Sequence, residues 1–305
     1  MHLIRLRELR LATPPQPGRP LHLSAASGLV RVGPLFLVVA DDELQLGVFD
    51  VDSNAPGRLI RMIEGELPES AAERKKHKPD FEALTLLPPF DGYPRGALFA
   101  LGSGSKKRRR GGVLLRIDPD GVDGSSSRVI DASNLFEALD REIDDLNIEG
   151  AVVYDDRLVL MHRGNRRHAA NALASFSLKA ILDSIRHDDI IGNATILALE
   201  RYDLGRVDDI PLCFTDGAVL PQGGIVFSAV AEDTSDNYRD GPCRAAAIGM
   251  IARDGTLQSV RALDSVCKIE GIHAQPAGDR VALWLVTDAD DPSVPAAFLY
   301  GELRL

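Results

Sequence analysis

Four short segments each set one carboxylate at the head of an apolar run: DFEALTLL with Glu82, NIEGAVVY with Glu149, FTDGAVLP with Asp216 and KIEGIHAQ with Glu270. A fifth and weaker copy, AASGLVRV, carries Ser27 in the same column. A small residue follows each one: Gly28, Ala83, Gly150, Gly217 and Gly271. The steps between the five are 55, 67, 67 and 54 residues, and the way from Glu270 through the C-terminus and on from Met1 to Ser27 is 62. A repeat that also closes on itself at a similar period would bring all five residues to one place. Four carboxylates crowded there cannot all ionise unopposed, because like charge and loss of water both raise their pKa values. A hard divalent cation would satisfy them. Oxygen-only ligands and about six to eight coordination places favour Ca²⁺, with Mg²⁺ second and water in the places left empty. The competing expectation is that these residues bond backbone amides of neighbouring repeats or pair with arginines.

The elements that would hold such a ring recur in the same order. After the acidic residue comes a short apolar strand, a tight turn and a second strand: ALFALGS (97–103), RLVLMHR (157–163), GIVFSAV (224–230) and VALWLVT (281–287). The turns YDDR and PQGG have hairpin chemistry. A polar loop leads to a third strand (GVLLRID, ALASFSL, AAIGMIA, AFLYGEL), and a fourth follows at 58–64, 127–133, 194–200 and 257–263. The last copy runs out after three strands, and HLIRLRE (2–8), which matches RLIRMIE (58–64), supplies its fourth. The fold expected is an all-β, five-bladed β-propeller of four-stranded blades, one domain over residues 1–305, closed by the N-terminal strand. Residues 133–147 and 177–190 carry apolar residues at helical spacing and read as one or two short helical insertions. A two-domain α/β arrangement is the structural rival, and it leaves a repeat spanning the whole chain unexplained.

In a propeller the first strand of each blade lines the central channel, so the acidic column gathers at one mouth. The second strand returns to that mouth, and the loop after it lies on the same face. Blade two places Lys106, Lys107, Arg108, Arg109 and Arg110 there, and blade three His162, Arg163, Arg166, Arg167 and His168. Blade four supplies Glu232, Asp233, Asp236, Tyr238, Arg239 and Asp240, blade five Asp288, Asp290 and Asp291, and blade one Asp41 and Asp42. One side of the mouth should be basic and the other acidic. Arginine's planar fork suits an anion, and Arg163, next to its strand, should stand nearest the axis. His162 is a candidate acid or base, its ordinary reading being a surface histidine. The KKRRR run reads more readily as a solvated loop, and GSGSKK lacks P-loop spacing. His273 should face away from the channel and pack between blades. Cys213 and Cys267 each fall three residues before their acidic residue, a shared packing position. No Ser/His/Asp triad or zinc spacing is present.

The charge of −10 and pI near 5.2 disfavour nucleic acid and anionic membranes as partners. No run approaches the roughly 18 apolar residues of a membrane span, and MHLIRLRELRLATPPQPG lacks a signal peptide's apolar centre. Three cysteines without C-x-x-C spacing fit a reducing, cytoplasmic setting. Oligomeric state is not legible.

The ring resembles that of the calcium-dependent apyrases, or calcium-activated nucleotidases, five-bladed propellers with calcium in the central channel and one glutamate or serine from each blade. Ser27, Glu82, Glu149 and Glu270 match by type and order, and KIEGI is especially similar. Asp216 departs, since that slot looks like serine in the family. Phytase-like and gluconolactonase-like propellers share related features. The resemblance implies a Ca²⁺-dependent hydrolase of a phosphate ester or anhydride, the ion held by Ser27, Glu82, Glu149, Asp216 and Glu270. A small anionic substrate would lie at the basic side, with Arg163 on the anion. The alternatives are a lactonase-type hydrolase and a non-catalytic ligand- or protein-binding propeller with structural calcium. Aromatic content of 5% argues mildly against a sugar platform.

Overall fold

The computed structural model describes residues 1–234 and 241–304. After β1 (Ile4–Glu8) the chain builds five antiparallel sheets in sequence order. Blade one is β2 (Ala26–Val32), β3 (Leu35–Ala40), β4 (Gln45–Asp50) and β5 (Arg58–Arg61). Helix α1 (Ala71–His77) precedes blade two, β6 (Phe81–Leu87), β7 (Ala97–Gly102), β8 (Gly111–Asp118) and β9 (Gly121–Asp131). Helix α2 (Ser133–Asp140) leads to blade three, β10 (Ile148–Tyr154), β11 (Arg157–His162) and β12 (Asn171–Ser177), with α3 (Leu178–His187) inserted before β13 (Ile196–Tyr202). Blade four gains a short extra strand, β14 (Arg206–Val207), before β15 (Ile210–Val219), β16 (Ile225–Glu232), β17 (Cys243–Ile251) and β18 (Leu257–Ala262). Blade five is β19 (Ile269–Ala277), β20 (Arg280–Thr287) and β21 (Ala297–Arg304), and β1 pairs antiparallel with β21 as its fourth strand.

This is a five-bladed propeller closed by the N-terminal strand. The inner strands β2, β6, β10, β15 and β19 each touch the next, and β19 returns to β2. Turn chemistry acts as the sequence implies: Asp155 takes φ 52° between β10 and β11, and Gly223 and Gly224 take φ 90° and 88° between β15 and β16. Five apolar clusters hold the ring, one between each pair of neighbouring blades. In the seam between blades five and one, Phe36 lies against Trp284 and Phe298. His273 packs in the same seam, and burial lowers its pKa to about 4.

The helices differ from expectation. There are three among the described residues rather than one or two, and α2 stops at Asp140, not at 147. Ile143 and Leu146 are buried all the same, in an irregular turn where Asp145 takes φ 51° and breaks the helical path. Helix α1 gives no sequence signal, since AAERKKH has no apolar stripe. It is held instead by the buried Arg74 guanidinium, which donates to Pro68 O, Glu69 O and the Asp42 carboxylate at 3.2, 2.8 and 2.9 Å.

Candidate functional site at the channel mouth

Each inner strand carries a β-bulge at its entrance. The pairing with the second strand skips one residue, and the skipped residues are Ser27, Glu82, Glu149, Thr215 and Glu270. A bulge re-aims a side chain that would otherwise alternate with its neighbours. Ser27, Glu82, Glu149 and Glu270 accordingly line one cavity of about 190 Å³, together with Asp41, Asp80, Lys78, Arg163 and Lys268.

Blade four corrects the sequence frame by one residue. The bulge falls on Thr215, whose hydroxyl donates to Ser228 Oγ at 2.9 Å, so Asp216 occupies the place of Gly28, Ala83, Gly150 and Gly271. At that place neighbouring inner strands nearly touch. A Cβ on Gly271 would lie 3.1 Å from Leu29 N, and one on Gly150 would lie 3.0 Å from Asp216 Oδ1. The Asp216 carboxyl fills this gap, 1% exposed, and accepts from the Ile272 amide at 2.9 Å. Burial holds its pKa well above the usual range, opposed by the amides of Ile272, Gly217 and Leu29. It is not among the cavity-lining residues and ties blades together.

The cavity is lined by ten carboxylates and six cationic side chains. Two of those cations stand inside the ring. Arg163 is 3.4 Å from Glu149 Oε2 and 3.7 Å from Glu270 Oε1, and also bonds Glu232. Lys268 Nζ is 3.4 Å from Glu270 Oε1, 3.9 Å from Glu232 Oε2 and 2.6 Å from Asp290 Oδ1. Even so, neither oxygen of Glu270 has a hydrogen-bond donor among the described residues, although the residue is only 4% exposed. Burial raises the pKa of Glu82, Glu149 and Glu270, with further like-charge repulsion and, for Glu149 and Glu270, partial relief from Arg163 and Lys268. Asp41, Asp80 and Glu82 bring carboxylate oxygens within 4.8 Å of one another beside Lys78, which bonds Asp41 and lies 2.8 Å from Asp80.

Arg163 therefore stands within the carboxylate ring rather than on a basic rim. His162 is neither a surface histidine nor part of the cavity. It is 3% exposed, its Nδ1 faces the Asn147 backbone, and burial lowers its pKa to about 4. Its effect on the ring is indirect, since the Asn147 side chain donates to Glu149. The KKRRR run is split: Arg109 turns inward to Asp80 at 2.7 Å and Arg110 pairs with Asp140, while Lys107 and Arg108 remain exposed. Asp236, Tyr238, Arg239 and Asp240 lie outside the described residues.

A second layer, polar in blades two, three and five, lies beyond the sequence signals used above. Ala25, Asp80, Asn147 and Lys268 line the cavity, each two residues before its bulge, and Cys213 holds that position in blade four. The signal was present as a column of the repeat. It also separates Cys213 from Cys267, which stands three before Glu270, so the two do not share a position.

The fold recurs in solved structures. A Myxococcus xanthus glutaminyl cyclase aligns over 100% of this chain and 97% of its own, at 12% identity and a TM-score of 0.52. A Bombyx mori β-fructofuranosidase in complex with sucrose aligns over 93% of this chain, at 11% identity and a TM-score of 0.52, and this chain spans 62% of its length. At such identities the likeness is one of fold alone. No curated protein matches the chain by sequence. Over residues 22–303 the chain matches the model of a family of unknown function, DUF6929, and it belongs to that family.

Proposed function

We propose that the protein is a divalent-cation-dependent hydrolase, using Ca²⁺ ahead of Mg²⁺, that acts at the channel mouth on a small phosphate ester or anhydride. The observation that carries the reading is Glu270: a buried carboxylate that no described residue hydrogen-bonds, with Lys268 and Arg163 only at 3.4 and 3.7 Å, in a cavity where carboxylates outnumber cations. Such a group is costly unless a charge compensates it. The donor set fits a hard cation, with Glu82, Glu149, Glu270 and the Ser27 hydroxyl as ligands. Blade four contributes no ligand to this set, because its bulge residue Thr215 is bonded to Ser228 and does not line the cavity. When bound, the ion would polarise a phosphoryl oxygen or lower the pKa of a water. Asn147 orients Glu149, and Arg163 holds the carboxylates of blades three, four and five at fixed separation. The exposed Lys107, Arg108 and Arg167 supply the rim charge that would attract an anion.

Calorimetry on chelator-stripped protein tests this. Wild type is expected to bind Ca²⁺, and Glu270→Gln to bind it at least about tenfold more weakly, a loss of about 1.4 kcal/mol. Hydrolysis of a panel of phosphate esters, beside lactones, should then depend on the ion. A folded wild type that takes up no divalent cation sinks the proposal.

A further inference from the structure

The two cations within the ring are held differently. Arg163 reaches three carboxylates on three blades, with both terminal nitrogens engaged. Its rigid fork cannot leave one partner without disturbing the others. Lys268 bridges two zones. Its ammonium lies 3.4 Å from Glu270 in the buried ring and 2.6 Å from Asp290 on the loop after β20. The Asp290 side chain is 29% exposed, against 5% for Glu270. Lysine is a point charge on a flexible four-carbon stem, so this ammonium can give up Glu270 and keep Asp290.

Resting on the metal reading above, we propose that Lys268 is the ring's own exchangeable counter-ion: it serves Glu270 in the metal-free protein and withdraws to Asp290 when a divalent cation binds. The arrangement would let the carboxylate ring fold before an ion binds. It also lowers the apparent affinity for the ion, because binding must first displace the lysine, and the reduction equals the fraction of molecules in which Glu270 is released.

The test is Ca²⁺ titration by calorimetry of chelator-stripped wild type, Lys268→Met, Asp290→Asn and Asp291→Asn, with thermal unfolding in chelator and in Ca²⁺ as a second readout. Lys268→Met removes the competitor and should bind Ca²⁺ at least about tenfold more tightly, with a larger Ca²⁺-induced rise in Tm. Asp290→Asn removes the outer resting place and should weaken binding about threefold or more. Asp291→Asn loses the same charge from the same loop and the same cavity lining, but among the described residues its carboxylate accepts only from Ser293 and holds no lysine, so it measures the general charge effect and should weaken binding less than Asp290→Asn does. Wild-type binding with no gain in Lys268→Met overturns the inference and leaves the metal reading standing. Absence of binding in both overturns both. Should Lys268→Met fold only in Ca²⁺, the ion is replacing the lysine, as proposed. Should it fold in neither, the aspartate pair decides, and equal affinities for Asp290→Asn and Asp291→Asn overturn the inference.

Discussion

Asp216→Ala should lower folding stability by about 3 kcal/mol while leaving Ca²⁺ affinity within about threefold of wild type. The carboxyl lies in the narrow space between inner strands where other blades have glycine or alanine, and alanine there leaves the Ile272 amide without its acceptor. Amides of Gly217 and Leu29 that face the same group lose it too. Asp216→Asn should recover most of the loss, to within about 1 kcal/mol. The amide keeps one acceptor oxygen, and burial already holds the native carboxyl toward its neutral form. Urea denaturation of the two variants, with calorimetry beside it, distinguishes a strut from a ligand. If alanine costs nothing in stability but abolishes Ca²⁺ binding, Asp216 belongs to the ion and the bulge at Thr215 does not mark the ring.

The propeller was legible because its determinants are local and repeated. Apolar strands with hairpin turns recur at a near-constant period, and HLIRLRE at the other end of the chain fits the missing strand of blade five. What escaped depended on backbone register or on contacts far apart in sequence. Aligning FTDG with the Glu-Gly pairs matched carboxylate to carboxylate, but the skipped residue is set by pairing, where Phe214 faces Ala229 and Asp216 faces Ser228. Side-chain type cannot reveal a bulge that falls one residue earlier. Helix α1 owes its place to Arg74 and Asp42, 32 residues apart, rather than to an apolar face. Arg163 could be assigned to the correct mouth by parity, yet its path into the ring is fixed by Glu232 and Glu270, which come from other blades. Lys268 is visible in KIEG, but its place between Glu270 and Asp290, 22 residues on, is set by the fold.

The charge carried by this mouth should also set how stability depends on pH. Metal-free protein is expected to lose stability as pH rises above about 4, gradually while the histidines titrate and then by at least about 2 kcal/mol between pH 6.5 and 8. Burial is the main cause that raises Asp41 to about 6 and both Glu43 and Asp288 to about 8. Unfolded carboxyls titrate near 4, so above that pH the folded state keeps protons the unfolded chain has released, and stability falls as pH rises. His162 and His273 act oppositely. Burial lowers both to about 4, against about 6.5 unfolded, so they add stability as pH rises through that interval. Below pH 6.5 the two histidines offset only part of the loss from the more numerous carboxyls. Above it the histidines are neutral in both states, and Glu43 and Asp288 act together with the buried carboxyls of Glu82, Glu270 and Asp216, which burial also raises. The first two alone, over about 1.5 pH units, give about 4 kcal/mol, and half of that allows for relaxation of the rim. Saturating Ca²⁺ should stabilise more at pH 8 than at pH 6, because its ligands must be deprotonated. Urea midpoints at pH 5.5, 6.5 and 8 in chelator and in Ca²⁺ measure both effects. Stability that rises from pH 6.5 to 8 in chelator would mean that Arg19 and Lys268 already hold these carboxyls ionised in the fold, and that the mouth needs no further cation.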